Sequence, residues 1–190
     1  GVSNENSSAA LKMLGDISQG DANKLSSLSL AFGQVSSAGK LSGQDLLQMI
    51  NAGYNPLRDI SDKTGASIGD LKEKMAGGKG SKEFQAQIKA AQAEVKKLGD
   101  KASDGAKMLA QIGTDGYISA DMVTQAMQSA TSEGGLFFGA MEKQSKTFAG
   151  QLSTLKDDFN SLNADVFAGL YQSLATDVLP VASGYVAQLS

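Results

Sequence analysis

Apolar residues recur along this chain at spacings of three and four, and glycines or short polar stretches interrupt them. That period places the apolar side chains on one face of an α-helix. Leu11, Leu14 and Ile17 predict a short first helix ending near Gly20. Asp21 can cap a second, in which Leu25, Leu28, Phe32 and Val35 form one stripe before Gly39 ends the run. Ser42 then opens a helix through Leu46, Leu47 and Ile50, and Gly53 has the position of a glycine just past a helix end. Asn55-Pro56 restarts the chain, with Pro56 at a first helical position where its missing N–H costs nothing. Leu57 and Ile60 carry that helix to Gly65, and Ser67 with Asp70 opens another through Leu71 and Met75.

Gly77-Gly78-Lys79-Gly80 reads as a hinge or loop. Beyond it, Phe84, Ile88, Ala91, Val95 and Leu98 keep one seam, and Leu109 and Ile112 stay in phase with it. The reading is one long helix, or two if Gly99 or Gly105 breaks it. Such a stripe needs a partner helix, from the same molecule or from a second copy. Ser119 caps a helix with Val123 and Met127, and Gly134-Gly135 breaks the chain before Leu136-Phe137-Phe138. The longest seam follows, through Phe148, Leu152, Leu155, Phe159, Leu162 and Val166, and Pro180 and Gly184 bend or end the apolar C-terminal part. Three Ser-led helices echo one another, but no fixed period separates them, so the chain is not a solenoid.

Composition narrows the chemistry. With no Cys there are no disulfides or thiolate metal sites, and with no His there is no Ser-His-Asp triad or His-held metal. A net charge of -3 gives no general field for holding nucleic acid. The Lys-rich stretch from Lys72 to Lys107 alternates with Asp and Glu and carries one aromatic residue, Phe84, so it reads as a solvated helix face and no nucleic-acid partner is predicted. No apolar run reaches the roughly 20 residues that span a bilayer. The start, GVSNENSSAA, has neither the basic nor the apolar region of a signal peptide. Gly1 reads as a cut made in a longer protein, or as a processed natural N-terminus.

The candidate reactive motifs fail on spacing. Gly78-Lys79 would need a Gly at position 73 and a Ser or Thr at position 80 to be a phosphate loop, and these are Glu73 and Gly80. Aligning Gly116 with the glycine of a calcium loop puts Gln111, Gly113 and Met122 at ligand positions, too few oxygens for the ion. Asp157 and Asp158 diverge by about 100° on a helix and cannot converge on one bond. Glu133 and Glu142 flank the Gly-Gly break with no partner base. No catalytic, cofactor-binding or metal-binding residues are assigned and no cofactor is expected. Leu136, Phe137 and Phe138 cannot all face one helix seam, so they are either core at a kink or a contact surface.

Three blocks in order carry a family resemblance: GKLSGQDLLQMINAGYNPLRDISDKTG from Gly39 to Gly65, SIGDLKEKMA from Ser67 to Ala76, and ISADMVTQAMQSATSEGGLFFGAMEKQSKTFAGQLSTLKDDF from Ile118 to Phe159. Together they resemble the tape measure domain of bacteriophage and prophage tail proteins, over about half the chain. The resemblance implies a long helical protein that lies in the lumen of the virion tail and sets tail length, with the host cytoplasm as its location during assembly. It also implies contacts with the tail tube, the tail-tip or baseplate initiator and assembly chaperones, and it brings no catalytic residues. One departure stands out: in the family pattern the helix ending near Ala76 leads almost directly to the Ile118 block, whereas residues 77–117 intervene here. They read as an inserted helical arm, or a pair of helices, within a tape-measure-like domain of residues 1–76 and 118–190.

The expected fold is therefore all-α, with several short helices packed around two or more long amphipathic ones. The favoured function is structural, in tail length determination and tail assembly. A membrane-interacting helical module acting during DNA ejection is the alternative, motivated by Leu136 to Phe138 and the apolar stretch from Val166 to Leu189. An enzyme such as a cell-wall hydrolase is the third class, and the absence of His and of an acidic pair argues against it.

Overall fold

The structure, a computed structural model, describes residues 4–143, excepting the side chains of residues 4–9, 11, 142 and 143. The seam from Phe148 to Val166, the Asp157-Asp158 pair, Pro180, Gly184 and the apolar stretch to Leu189 lie outside the described residues. The described chain is all-α, with no strand and one isolated antiparallel bridge between Lys40 and Ser119. In chain order the helices are α1 (Asn4–Ser18), α2 (Ala22–Ala38), α3 (Gly43–Asn51), α4 (Pro56–Thr64), α5 (Ile68–Met75), α6 (Lys82–Leu98), α7 (Asp104–Asp115), α8 (Ala120–Thr131) and the short α9 (Ala140–Lys143).

Most of these helices begin where a side chain can satisfy an amide that the first turn leaves unpaired. Asp21 accepts from the Lys24 N–H at 3.0 Å, Asn55 from Leu57 at 3.1 Å, and Ser103 from Ala106 at 3.2 Å. Ser42 and Asp45 form a reciprocal cap: the Ser42 hydroxyl oxygen accepts from the Asp45 N–H at 3.2 Å, and the Asp45 carboxylate accepts from the Ser42 N–H at 3.3 Å. The α3 end closes as the glycine predicted. Gly53 N–H donates to Ile50 C=O and Tyr54 N–H to Met49 C=O, both at 2.9 Å, with Gly53 in the left-handed region.

The chain forms two compact units. In the first, the described residues are 4–33, 48–54 and 130–143. Its core includes Leu14, Ile17, Leu25, Leu28, Ala31, Met49 and Tyr54. The second comprises residues 34–47 and 55–129. Its core includes Leu57, Ile60, Leu71, Phe84, Ile88, Leu109, Ile112, Ile118 and Val123. Within it the Lys40–Ser119 bridge is flanked by Leu41 N–H to Ile118 C=O at 2.9 Å and Ala120 N–H to Gly39 C=O at 3.0 Å.

The seam from Phe84 to Ile112 is not one helix. A 3₁₀ turn at Gly99–Lys101 ends α6, and α7 runs back beside it as an antiparallel hairpin. The pairing is read from its two ends. Gly113 lies against Ile88, and the Ser103 N–H and hydroxyl both donate to the Glu94 carboxylate at 3.0 Å. Gly99 is the break; Gly105 lies inside α7, where a Cβ would stand 2.1 Å from the Lys63 carbonyl oxygen of α4. The glycine lets the two backbones touch.

The segment read as a hinge, Gly77 to Gly80, is a closed turn. Gly78 N–H donates to Glu73 C=O at 2.9 Å and Gly77 N–H to Lys74 C=O at 3.0 Å, the paired bonds of a glycine-ended helix. Asp70 then fastens the far side by accepting the Ser81 N–H at 2.6 Å, three residues before Phe84 enters the core. The inward face of α3 also differs from expectation. Leu46 and Met49 are buried, Ile50 is half-buried, and Leu47 is 61% exposed.

Candidate contact surface

The Gly-Gly break settles the division of the Leu136-Phe137-Phe138 triplet. After α8, Gly135 N–H donates to Ser132 C=O at 2.8 Å and Phe137 N–H reaches back to Ala130 C=O at 2.9 Å. Gly134 and Gly139 take positive φ on either side, so no helical seam runs through the triplet. Phe137 turns inward and is 7% exposed. Its ring meets Tyr54 edge to face, with centroids 6.1 Å apart and an interplanar angle of 77°. Pairs of that geometry add about 0.5–1.5 kcal/mol to the burial of the rings. Leu136 and Phe138 point outward, 81% and 50% exposed. Of the triplet, Phe137 is core, and Leu136 and Phe138 are left exposed as the candidate contact.

Below this turn Phe138 N–H donates to Gly135 C=O at 3.2 Å and Ala140 N–H to Phe137 C=O at 3.1 Å, leading into α9. The Met141 N–H donates to the Asp16 carboxylate at 2.8 Å. Asp16 is 1% exposed on α1, and its other oxygen stands 3.5 Å from the Lys12 ammonium. Neither Asp16 nor Tyr54 was singled out from the sequence. Residues 13–18 are buried on every side of the last turns of α1, so the apolar period there does not mark Asp16 as special.

The remaining motifs resolve as structure. Gly116 is the left-handed cap of α7 and Asp115 accepts from the Gln111 amide at 3.2 Å, so the calcium-like segment is a turn followed by a helix start. Among the described residues no group of three or more acidic side chains could hold a metal ion. A polar cleft of about 220 Å³ in the second unit is lined by Asp104, Lys107, Gln111, Asp121 and Gln125 among others. There the Lys107 ammonium donates to the Asp100 carbonyl at 2.8 Å and lies 3.9 Å from Asp104. Of the titratable groups, Asp70 is clearly shifted: the Ser67 hydroxyl, and after it the Ser81 N–H, hold its carboxyl below the usual value. That shift belongs to a helix joint. No helix of the described residues is long and apolar enough to cross a membrane.

These features define a helical structural module with an outward apolar pair as its candidate contact. A sequence model of the family described as tape measure protein matches residues 1–107, more than half the chain, and the chain belongs to that family. The family is structural and non-enzymatic, it places the chain among phage tail proteins, and it implies association with other tail components. The match takes in the first two motif blocks and residues 77–107 of the intervening segment; the Ile118 block lies beyond it. No curated protein and no solved structure matches the chain.

Proposed function

We propose that this chain is a folded, non-catalytic module of a tail tape measure protein that takes part in tail length determination and tail assembly. The family match across residues 1–107 carries the reading, and the all-helical architecture agrees with it. A ruler works because a helix advances about 1.5 Å per residue, so that chain length becomes physical length. The longest described helices, α2 and α6, have 17 residues and thus extend about 25 Å each. The module therefore supports the ruler, as a docking or initiation element, and is not itself the measuring rod. Its partners on this reading are the tail tube, the tail-tip or baseplate initiator and assembly chaperones, met in the host cytoplasm and then in the tail lumen. Leu136 and Phe138 are its proposed contact residues, and residues 77–117 its inserted arm.

The test is an in-frame deletion series in the tape measure protein that contains this module, with tails measured by electron microscopy. Deletions outside the module should shorten tails by about 1.5 Å per residue. Deletions that remove α3 to α5 should lower the yield of tails. Normal tails in normal yield after both kinds of deletion would refute the proposal.

A further inference from the structure

We infer that residues 131–143 form a strap that docks on the first unit and opens as one piece, with the Asp16 carboxylate as its latch. The bonds from Gly135 to Ser132, Phe138 to Gly135 and Ala140 to Phe137 are local. They shape the strap without attaching it. Its attachment includes Phe137, whose ring lies on Tyr54, and the Met141 N–H, which reaches Asp16 across 125 positions of sequence where α9 packs against α1. A carboxylate as buried as Asp16 requires a close donor. Lys12 is a weak one, 3.5 Å away on a side chain 53% exposed, and pairs of that kind contribute little. Of the two described donors, the Met141 N–H at 2.8 Å is the closer. Lifting the strap would strip the buried carboxylate of that donor and bare Tyr54 in the same movement, so the two fastenings release together.

The consequence falls on the apolar patch. While the latch is closed, Leu136 and Phe138 face outward and Phe137 is hidden. An open strap presents all three as one run. Asp16 thereby governs which apolar side chains the surface shows, from a position that touches none of them in sequence. Segments of this kind open locally, with a free energy below that of global unfolding.

Amide hydrogen exchange on the full chain, read by mass spectrometry, tests the inference. In the wild type the amides of residues 131–143 should exchange together and faster than those of residues 10–18. Asp16→Ala should speed exchange in the strap at least tenfold and leave the α6–α7 hairpin unchanged, while Lys12→Ala should change the strap less than twofold. Phe137→Ala changes no residue of α1 and should likewise speed exchange in the strap, which keeps the test open if Asp16→Ala fails to fold. The inference is overturned if the wild-type strap exchanges at the rate of residues 10–18, or if Phe137→Ala or a folded Asp16→Ala leaves the strap protected.

Discussion

Gly105 offers the sharpest test of the packing described for the second unit. In an ordinary helix interior, Gly→Ala stabilises by about 0.5–1 kcal/mol, because alanine restricts the unfolded backbone. At Gly105 an alanine Cβ would lie 2.1 Å from the Lys63 carbonyl oxygen and 3.2 Å from its carbon, where contacts of 3.4–4 Å are ordinary. The obstacle is backbone, and it is held: Gly65 N–H donates to Ser61 C=O at 2.8 Å and the Thr64 hydroxyl to Ile60 C=O at 2.6 Å. No rotamer change relieves the clash, so α4 and α7 must separate by more than about 1 Å. Overpacking of that size costs about 1–3 kcal/mol. It outweighs the propensity gain, and Gly105→Ala should be destabilised by about 1–2 kcal/mol.

Gly69 in α5 is the matched control. Its nearest neighbour to a new Cβ is the Ser67 Oγ at 3.7 Å, so Gly69→Ala should gain up to about 1 kcal/mol. For a chain of this size 1 kcal/mol moves the thermal midpoint by about 2–4 °C. Circular dichroism melts should therefore shift in opposite directions for the two substitutions. Gly113 lies between these cases, since its Cβ would meet the Ile88 Cγ2 at 2.2 Å, a side-chain atom. Gly113→Ala should destabilise alone and be partly rescued by Ile88→Leu, which removes that methyl. If Gly105→Ala melts at or above the wild type, the close approach of α4 and α7 is wrong.

Three further outcomes follow from named contacts. Phe137→Ala should destabilise by about 3 kcal/mol in urea unfolding, whereas Leu136→Ser, at a position 81% exposed, should stay within about 0.5 kcal/mol. Asp70 has a depressed folded-state pKa, so its contribution is present above the unfolded value of 3.8 and is lost as pH falls through the folded value. The gap in urea midpoint between wild type and Asp70→Asn should accordingly be widest near pH 7 and close below pH 3.8, and a gap that widens with acid would refute the assignment. Ser103→Ala removes both the α7 cap and a bond to Glu94, at a cost of about 1 kcal/mol, and a double-mutant cycle with Glu94→Ala should show coupling of the same sign.

What the sequence conveyed well were the local rules. Asp21, Ser42, Asn55, Ser67 and Ser119 all begin helices, and Gly39, Gly53 and Gly65 sit past helix ends, because caps and left-handed turns are decided within a few residues. What it blurred were facts that depend on distant partners. Leu109 and Ile112 keep the phase of Phe84 and Ile88 whether α6 continues or folds back, because both arms of the hairpin bury one stripe. Gly105 and Gly99 look alike in the sequence, yet one ends a helix and the other admits a neighbouring backbone. Leu47 fitted the apolar count but not the inward face, which Leu46 and Met49 occupy. The triplet was legible as an anomaly, and its division needed Tyr54, whose ring receives Phe137 from 83 positions away.

The hairpin also bears on how length could be measured. Residues 82–115 drawn as a single helix would extend about 50 Å; folded back at Gly99–Lys101 they extend about half that. Residues placed in such a hairpin thicken the module and add no reach. Selection for length would favour uninterrupted helix, whereas here the capped starts, left-handed ends and glycines at backbone crossings each stop or turn the chain. Those are the features of a segment whose shape is being specified. A specified shape is what the proposed docking role requires, and on that proposal the exposed pair Leu136 and Phe138, on either side of the buried Phe137 ring, would be its contact.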